Sequence, residues 1–392
     1  MRQVFFVACV LAAAIVAEAA DKKPILLPGA NPNPLYSNAV WTGDFLYTAG
    51  TLGRVPGKGY PEGIEAQTRQ TFKNLERILD TAGLDLSRVV SVNVFLTDDR
   101  HYQAMNKIFK KVFPNNDSAP VRTTVRTDLT GGLIEISMVA VKEGVEVHHI
   151  QPEGWQPSAA GYAYGVQAGD TLFVAGLVSN DPADGGIVTG DIGVQTKKTL
   201  ENLEAVLKAA GMSSADVVSN RVYLRDARDF RGMSDTYKTM VHGVARATVR
   251  AGIMHPDLRV EIQSVAVRDS SRKIPGNAHP DSPLVPSIVA GKRQFLSGTT
   301  GRGPDGYAPG DVKAQTRQAI SRQKAILEAA GLTLEDVVES RVYLTDIRHF
   351  GDMNEVYREL IPAPRPSRTT VGTSLVSPDA LVEIMFVADA EK

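Results

Sequence analysis

The 392-residue chain predicts an α+β fold in three tandem units. Three observations carry that prediction. A strand bearing an arginine, followed by a strand bearing a glutamate, occurs three times. An amphipathic helical stripe that ends in Ala-Gly precedes it each time. Every repeat runs in the same order: strands, helix, strand, helix, strands. Repeats decide a fold before single motifs do, because each is one supersecondary unit. The order implies a mixed sheet with both helices on one face. The expected boundaries are 21–145, 146–269 and 270–392, after a leader at 1–20.

The leader begins Met1-Arg2-Gln3, runs apolar from Val4 to Ala17, and ends Ala17-Glu18-Ala19-Ala20. A charged start, a short apolar run and an A-x-A exit predict a secretory signal peptide. The run is shorter than the ~20 residues that span a bilayer. An uncleaved anchor is the plainer alternative. Cys9, the single cysteine, lies inside it. A mature chain cut near Ala19 or Ala20 has no disulfide and no thiol nucleophile. The expected location is secreted or periplasmic, with no stable membrane insertion once the leader is removed. The rest is ordinary globular composition, 43% hydrophobic and 22% charged. A formal net charge of −1 supplies no basic field for nucleic acid.

A Pro/Asn/Gly-rich lead-in, Pro28 to Pro34, precedes a strand pair at Ser37–Val40 and Phe45–Gly50. Its counterparts include Leu172–Gly176 and Gln294–Gly298. The first helix places Ile64, Thr68, Phe72, Leu75, Leu79 and Ala82 on one face. The second repeat uses Ile192, Thr196, Leu200, Leu203, Leu207 and Ala210. The third uses Val312, Thr316, Ile320, Leu327 and Ala330, with Gln323 breaking the stripe. Gly83, Gly211 and Gly331 fit left-handed C-terminal caps. Strands at Val94–Asp98, Val222–Asp226 and Val342–Asp346 follow, their aspartates suited to turns and caps. The second helices carry Tyr102, Met105, Phe109 and Val112, then Phe230, Met233, Tyr237 and Val241, then Phe350, Met353, Tyr357 and Leu360. A Met and aromatic stripe at helical spacing predicts core and no chemistry. Linkers are expected near Val145–Ser158 and Asp269–Pro283.

Each repeat closes on the strand pair that matters most. Arg122, Arg246 and Arg368 recur at offsets of 124 and 122. Glu135 follows its arginine by 13 positions, and Glu261 and Glu383 follow theirs by 15. Period-2 alternation puts Arg122 with Thr124, Arg246 with Thr248, and Arg368 with Thr370 on one strand face. Ile134, Ile136 and Met138 share one face and Glu135 the other, where a neighbouring unit could cover it. A cation and an anion on two strands able to pair as a hairpin form the candidate site. The plainer interpretation is a structural ion pair across that hairpin. Arg126 and Arg250 become Gly372 in the third repeat and are expected at the rim. His148-His149 has no third ligand at convincing spacing, so no metal is expected.

The ordered set of motifs resembles the YjgF/RidA (reactive intermediate deaminase) family. It comprises Leu35-Tyr36-Ser37-Asn38-Ala39-Val40, the helix starts Gln67-Thr68, Gln195-Thr196 and Gln315-Thr316, the Ala-Gly helix ends, and the Arg…Glu-Ile endings. The likeness covers nearly the whole chain after the leader. It implies chorismate-mutase-like units and a covalent pseudo-trimer that is a monomer in solution, with clefts between units. It also implies a cofactor-free hydrolytic deaminase of small enamines and imines, giving a 2-oxo acid and ammonia. The arginines would hold the substrate carboxylate and the glutamates would manage water and protons. Thr124, Thr248 and Thr370 stand where the family has cysteine. Tyr36, Tyr162, Asn106 and Asn354 complete the binding set. The third repeat has Leu284 in place of the lead-in tyrosine. The second has Ser234 for the asparagine and Val244 for the proline before the arginine. The resemblance therefore implies three unequal clefts. A non-catalytic module for small ligands or proteins, or a ribonuclease as claimed for relatives, are the rival expectations.

Overall fold

The eight-residue runs Val89–Leu96, Val217–Leu224 and Val337–Leu344 are rich in valine, and each forms the central strand of one unit. The computed structural model describes residues 22–29, 31, 34–276, 283–303, 306, 308 and 310–391. The expected signal peptide and Cys9 lie outside the described residues. Among the described residues, no helix is long and apolar enough to cross a membrane.

In unit 1 the sheet order by residue is Lys23–Ile25, Ala39–Thr42, Phe45–Thr48, Ile134–Val141, Val89–Leu96, Val121–Arg126. The central strand runs parallel to the arginine strand and antiparallel to the glutamate strand. Units 2 and 3 repeat this arrangement. The expected hairpin between the arginine and glutamate strands is therefore corrected. A parallel pair needs a crossover, and the second helix of each unit supplies it. The loop after the arginine strand then steps across the central strand, so both edges of that buried strand find backbone partners.

Helices α1 (Ile64–Thr81), α2 (Tyr102–Val112), α3 (Ile192–Ala209), α4 (Phe230–Tyr237), α5 (Val312–Glu328) and α6 (Phe350–Leu360) cover one face of their sheets. Phe72, Leu75, Leu79, Met105, Phe109, Ile134, Ile136 and Met138 share one core. Gly83, Gly211 and Gly331 have φ of 78°, 66° and 76° and close the first helices as expected. Asp98, Asp226 and Asp346 each accept the backbone N–H two residues on. Two expectations change. The linkers are partly sheet: Val147–Ile150 pairs with Gly165–Ala168, and Lys273 bridges Val289. Gln323 does not break the packing. It is fully buried, and its amide donates to Ser297 O at 2.8 Å and Ile384 O at 2.7 Å.

The other sheet face carries the glutamates and meets neighbouring units. Ala163 N donates to Pro120 O at 3.1 Å, Val285 N to Val244 O at 3.3 Å, and Ser37 N to Pro366 O at 3.0 Å. These link units 1 to 2, 2 to 3, and 3 to 1. Unit 2 also lends Gly252–Ile253 to the edge of the unit 1 sheet. Two apolar clusters draw residues from all three units, one around Phe45, Phe173 and Phe295, the other around Phe95, Tyr223 and Tyr343.

Candidate active site at the junctions between units

The cyclic contacts decide which arginine meets which glutamate. Gly176 N donates to Arg122 O at 3.1 Å, Gly298 N to Arg246 O at 3.1 Å, and Gly50 N to Arg368 O at 3.0 Å. Each of these glycines lies under the glutamate carboxylate of its own unit. A Cβ built there would fall 1.8 Å from Glu135 Oε1 at Gly50, 2.0 Å from Glu261 Oε1 at Gly176 and 2.2 Å from Glu383 Oε1 at Gly298. Only a residue without a side chain leaves the carboxylate in place. The pairs are thus Arg122 with Glu261, Arg246 with Glu383 and Arg368 with Glu135, each spanning two units. The pairing of each arginine with the glutamate of its own repeat is corrected.

The arginines are 2%, 8% and 3% exposed at 122, 246 and 368. Each guanidinium lies over aromatic rings. Arg122 is 4.4 Å from Phe109, 5.0 Å from Tyr162 and 5.7 Å from Tyr102. Arg368 is 4.6 Å from Tyr357, 5.4 Å from Tyr36 and 5.6 Å from Phe350. Arg246 has Tyr237 at 4.7 Å and Phe230 at 5.8 Å. Desolvated contacts of this kind contribute about 2 kcal/mol. The aromatic stripes of α2, α4 and α6 are core, as expected, but they also floor the site, which the sequence reasoning missed.

The plainer interpretation as an ion pair fails. Arg122 donates to Tyr102 Oη at 3.3 Å and Ala160 O at 3.4 Å. Arg246 donates to Ser234 Oγ at 3.3 Å, and Arg368 to Asn354 Oδ1 at 2.7 Å. Among the described residues, buried ion pairs form elsewhere, at Glu339 with Arg221 and Arg341, and none joins a site arginine to a site glutamate. Arg122 Nε and Arg368 Nη1 are buried without a hydrogen-bond partner. The hydroxyls of Thr124, Thr248 and Thr370, and Asn106 Oδ1, are likewise unpartnered. Buried polar groups in this state are costly unless a ligand or water satisfies them.

Burial pushes Glu135 and Glu261 up to about 8 and Glu383 to about 7. Arg341 and Arg368 pull Glu135 back only in part. Thr124 N, which donates to Glu261 Oε1 at 3.3 Å, and Arg122 do the same for Glu261. Arg246 and Thr248 N act on Glu383. A carboxyl near neutrality can give or take a proton at pH 7. Arg122, Thr124, Tyr162, Gly176 and Glu261 line one cavity of about 230 Å³, together with Met254, His255 and Leu258.

The predicted site residues therefore converge, with one regrouping. Tyr162 belongs with Arg122, and Tyr36 and Asn354 with Arg368, while Asn106 is buried on α2 between Tyr102 and Phe109, which flank Arg122. Leu284 and Ser234 fall together beside Arg246. Among the described residues, no cluster of acidic, histidine or cysteine side chains could hold a metal. Arg126 is half-buried and pairs with Asp99 at 3.2 Å, a rim position as expected.

A sequence profile described as Endoribonuclease L-PSP matches residues 30–142, 155–268 and 276–390. A RutC family protein of Pyrococcus horikoshii is 39% identical over 110 residues, covering 28% of this chain and 87% of that protein. The crystal structure of the E. coli YjgF gene product shares 27% identity over 31% of this chain and 98% of its own, with a TM-score of 0.29. A chorismatase structure, 16% identical, covers 77% of this chain and 93% of its own with a TM-score of 0.51, a likeness of fold alone.

Proposed function

The chain belongs to the endoribonuclease L-PSP family, which includes the YjgF/RidA proteins, and from that premise we propose that it is a cofactor-free hydrolytic deaminase of small 2-imino acids and their enamine tautomers. One observation carries the proposal. At each junction a buried arginine with no ion-pair partner among the described residues shares a cleft with a carboxyl whose burial keeps it near neutrality.

The guanidinium fork takes the substrate carboxylate through two parallel hydrogen bonds, which fixes the adjacent C=N carbon. Protonated glutamate donates to the imine nitrogen. The resulting carboxylate then accepts a proton from the attacking water. Water adds to carbon, and a carbinolamine forms. Glutamate returns the proton to nitrogen, the C–N bond breaks as the carbinolamine hydroxyl gives its proton back to the carboxylate, and ammonia leaves a 2-oxo acid with the glutamate again protonated. Held reactants and a placed shuttle replace a termolecular encounter. The threonine hydroxyl has free hydrogen-bonding capacity toward substrate or water. Its position beside the arginine asks for no nucleophile.

We also propose export by the leader at 1–20, so the imines would come from amino-acid oxidation outside the cytoplasm. For cleavage of RNA, which the family's description names, a formal net charge of −1 offers no overall basic field. The test supplies the chain without its leader with imino acids generated in situ and follows imine loss against a buffer control. Accelerated loss is expected. No acceleration with any imino acid, alongside measurable 2-oxo acid binding, would make the clefts a binding module.

A further inference from the structure

The three clefts differ at two places that, around Arg122, line the cavity. The first is the lead-in residue. Tyr162 stands over Arg122 and Tyr36 over Arg368, whereas Leu284, paired through the bridge between Val244 and Leu284, holds that place beside Arg246. The second lies four residues past the end of each arginine strand, in the loop of the adjoining unit. Met254 packs on the unit 1 core with Tyr162, and both line the cavity that contains Arg122. Val376 packs with Leu284 on the unit 2 core around Tyr237. By position in the repeat Thr130, which is exposed, corresponds to Met254 and Val376, and Tyr60 stands against the neighbouring Gly131, where a Cβ would lie 2.5 Å from its hydroxyl.

The Arg246 cleft has therefore exchanged a phenol for an isobutyl group and lined the same wall with valine. Ser234 in place of asparagine makes it smaller still in polar content. The anchor and the proton carrier are unchanged, since Arg246 and Glu383 keep their places. An apolar wall discriminates by the methylenes it covers, and a hydroxyl-rimmed wall by the polar groups it pairs. Resting on the deaminase proposal for the reaction, we infer that the Arg246–Glu383 cleft takes 2-imino and 2-oxo acids with branched apolar side chains. The Arg368–Glu135 cleft takes those with short or polar side chains. One chain thus covers a wider substrate range than three equal sites would.

The test uses three forms of the full chain, each with two arginines replaced by alanine and one cleft intact. Pyruvate and 4-methyl-2-oxopentanoate are the calorimetric probes, and imines generated in situ from alanine and leucine are the kinetic ones. The preference for the branched acid should be on the order of tenfold greater in the Arg122→Ala/Arg368→Ala form than in the Arg122→Ala/Arg246→Ala form. In the native chain, Leu284→Tyr should selectively weaken the branched acid. It installs the residue two other clefts already use, so it keeps the comparison available if the double variants fail to fold. Equal preferences in the three forms with an unaltered Leu284→Tyr profile, or no binding of either acid at Arg246, would overturn the inference. Ranked binding without turnover would support it while refuting deamination.

Discussion

Arg122, Arg246 and Arg368 act as anchors only if a carboxylate completes them. Removing a charge-assisted bidentate contact costs about 1.5–3 kcal/mol, or roughly one to two decades in turnover efficiency at that cleft. The triple variant Arg122→Ala, Arg246→Ala, Arg368→Ala should lose deaminase activity and keep its circular dichroism spectrum. Arg246→Ala alone should have the smallest effect on alanine-derived imine, because that cleft lacks both the tyrosine and the asparagine. Wild-type rates in a folded triple variant would make the arginines structural. The glycines under the carboxylates give a sharper probe. Gly176→Ala meets the flexible Glu261 side chain, with Oε1 at 2.0 Å, Cδ at 2.9 Å and Cγ at 3.1 Å. The carboxylate must move, so turnover at that cleft should fall by roughly a decade or more while the melting temperature barely changes. With Arg246→Ala and Arg368→Ala in the background, the assay reads this one cleft.

The central strands, bonded on both edges, position the site. Their registers place Val92 opposite Arg122 and Phe95 opposite Glu135, and the other units match. In unit 3 the first helix departs from this economy. Gln323 donates to the carbonyls of Ser297 and Ile384 and to Thr299 Oγ1 at 3.0 Å, tying α5 to the glutamate strand beside Glu383. Leu75 and Leu203 serve the corresponding places by apolar burial. Gln323→Leu leaves Ser297 O and Ile384 O without that donor and should destabilise the chain by about 1–3 kcal/mol. Denaturant titration reads this directly, and an unchanged midpoint would mean the carbonyls find other donors.

At the scale of the molecule, three units in one chain replace association by tethering. We expect a monomer, and light scattering near three times 42.2 kDa would contradict it. The covered faces also set a pH dependence. Glu135, Glu261 and Glu383 hold their protons more tightly folded than unfolded, where the ordinary value is 4.5. Below that value both states are protonated and nothing is lost. As pH rises, the unfolded chain releases protons that the folded chain retains, so stability falls until the folded carboxyls ionise near 7 to 8. Glu339 works the other way. Burial would raise it, but Arg221 and Arg341 outweigh burial and hold it below its ordinary value, so its contribution is lost toward acid. The melting temperature should drop between about pH 5 and 8, and less steeply with glutamine at 135, 261 and 383. Equal slopes would show that these carboxyls are not protonated in the folded chain.

The three-unit plan, both helices of each unit and the identity of Arg122, Arg246, Arg368, Glu135, Glu261 and Glu383 were legible in the sequence. Periodicity and recurrence are local signals, and each element buries one face at a fixed spacing. The glycine beneath each carboxylate was visible only as a strand end, although Gly50, Gly176 and Gly298 recur at one place. The aromatic stripes registered as core because helical spacing cannot tell a residue that packs on a sheet from one that also floors a cation. Strand order was beyond local signals, since the parallel pair is made by a crossover and the glutamate strand returns to the far edge of the central strand. The partner of each arginine was the least legible of all. It depends on how the glutamate-bearing faces of three sheets close on one another, and that closure is set by contacts between residues more than a hundred positions apart. Sequence therefore determined which ionisable groups this protein has available, and tertiary structure decided that each cleft takes its arginine from one unit and its buried carboxyl from the next.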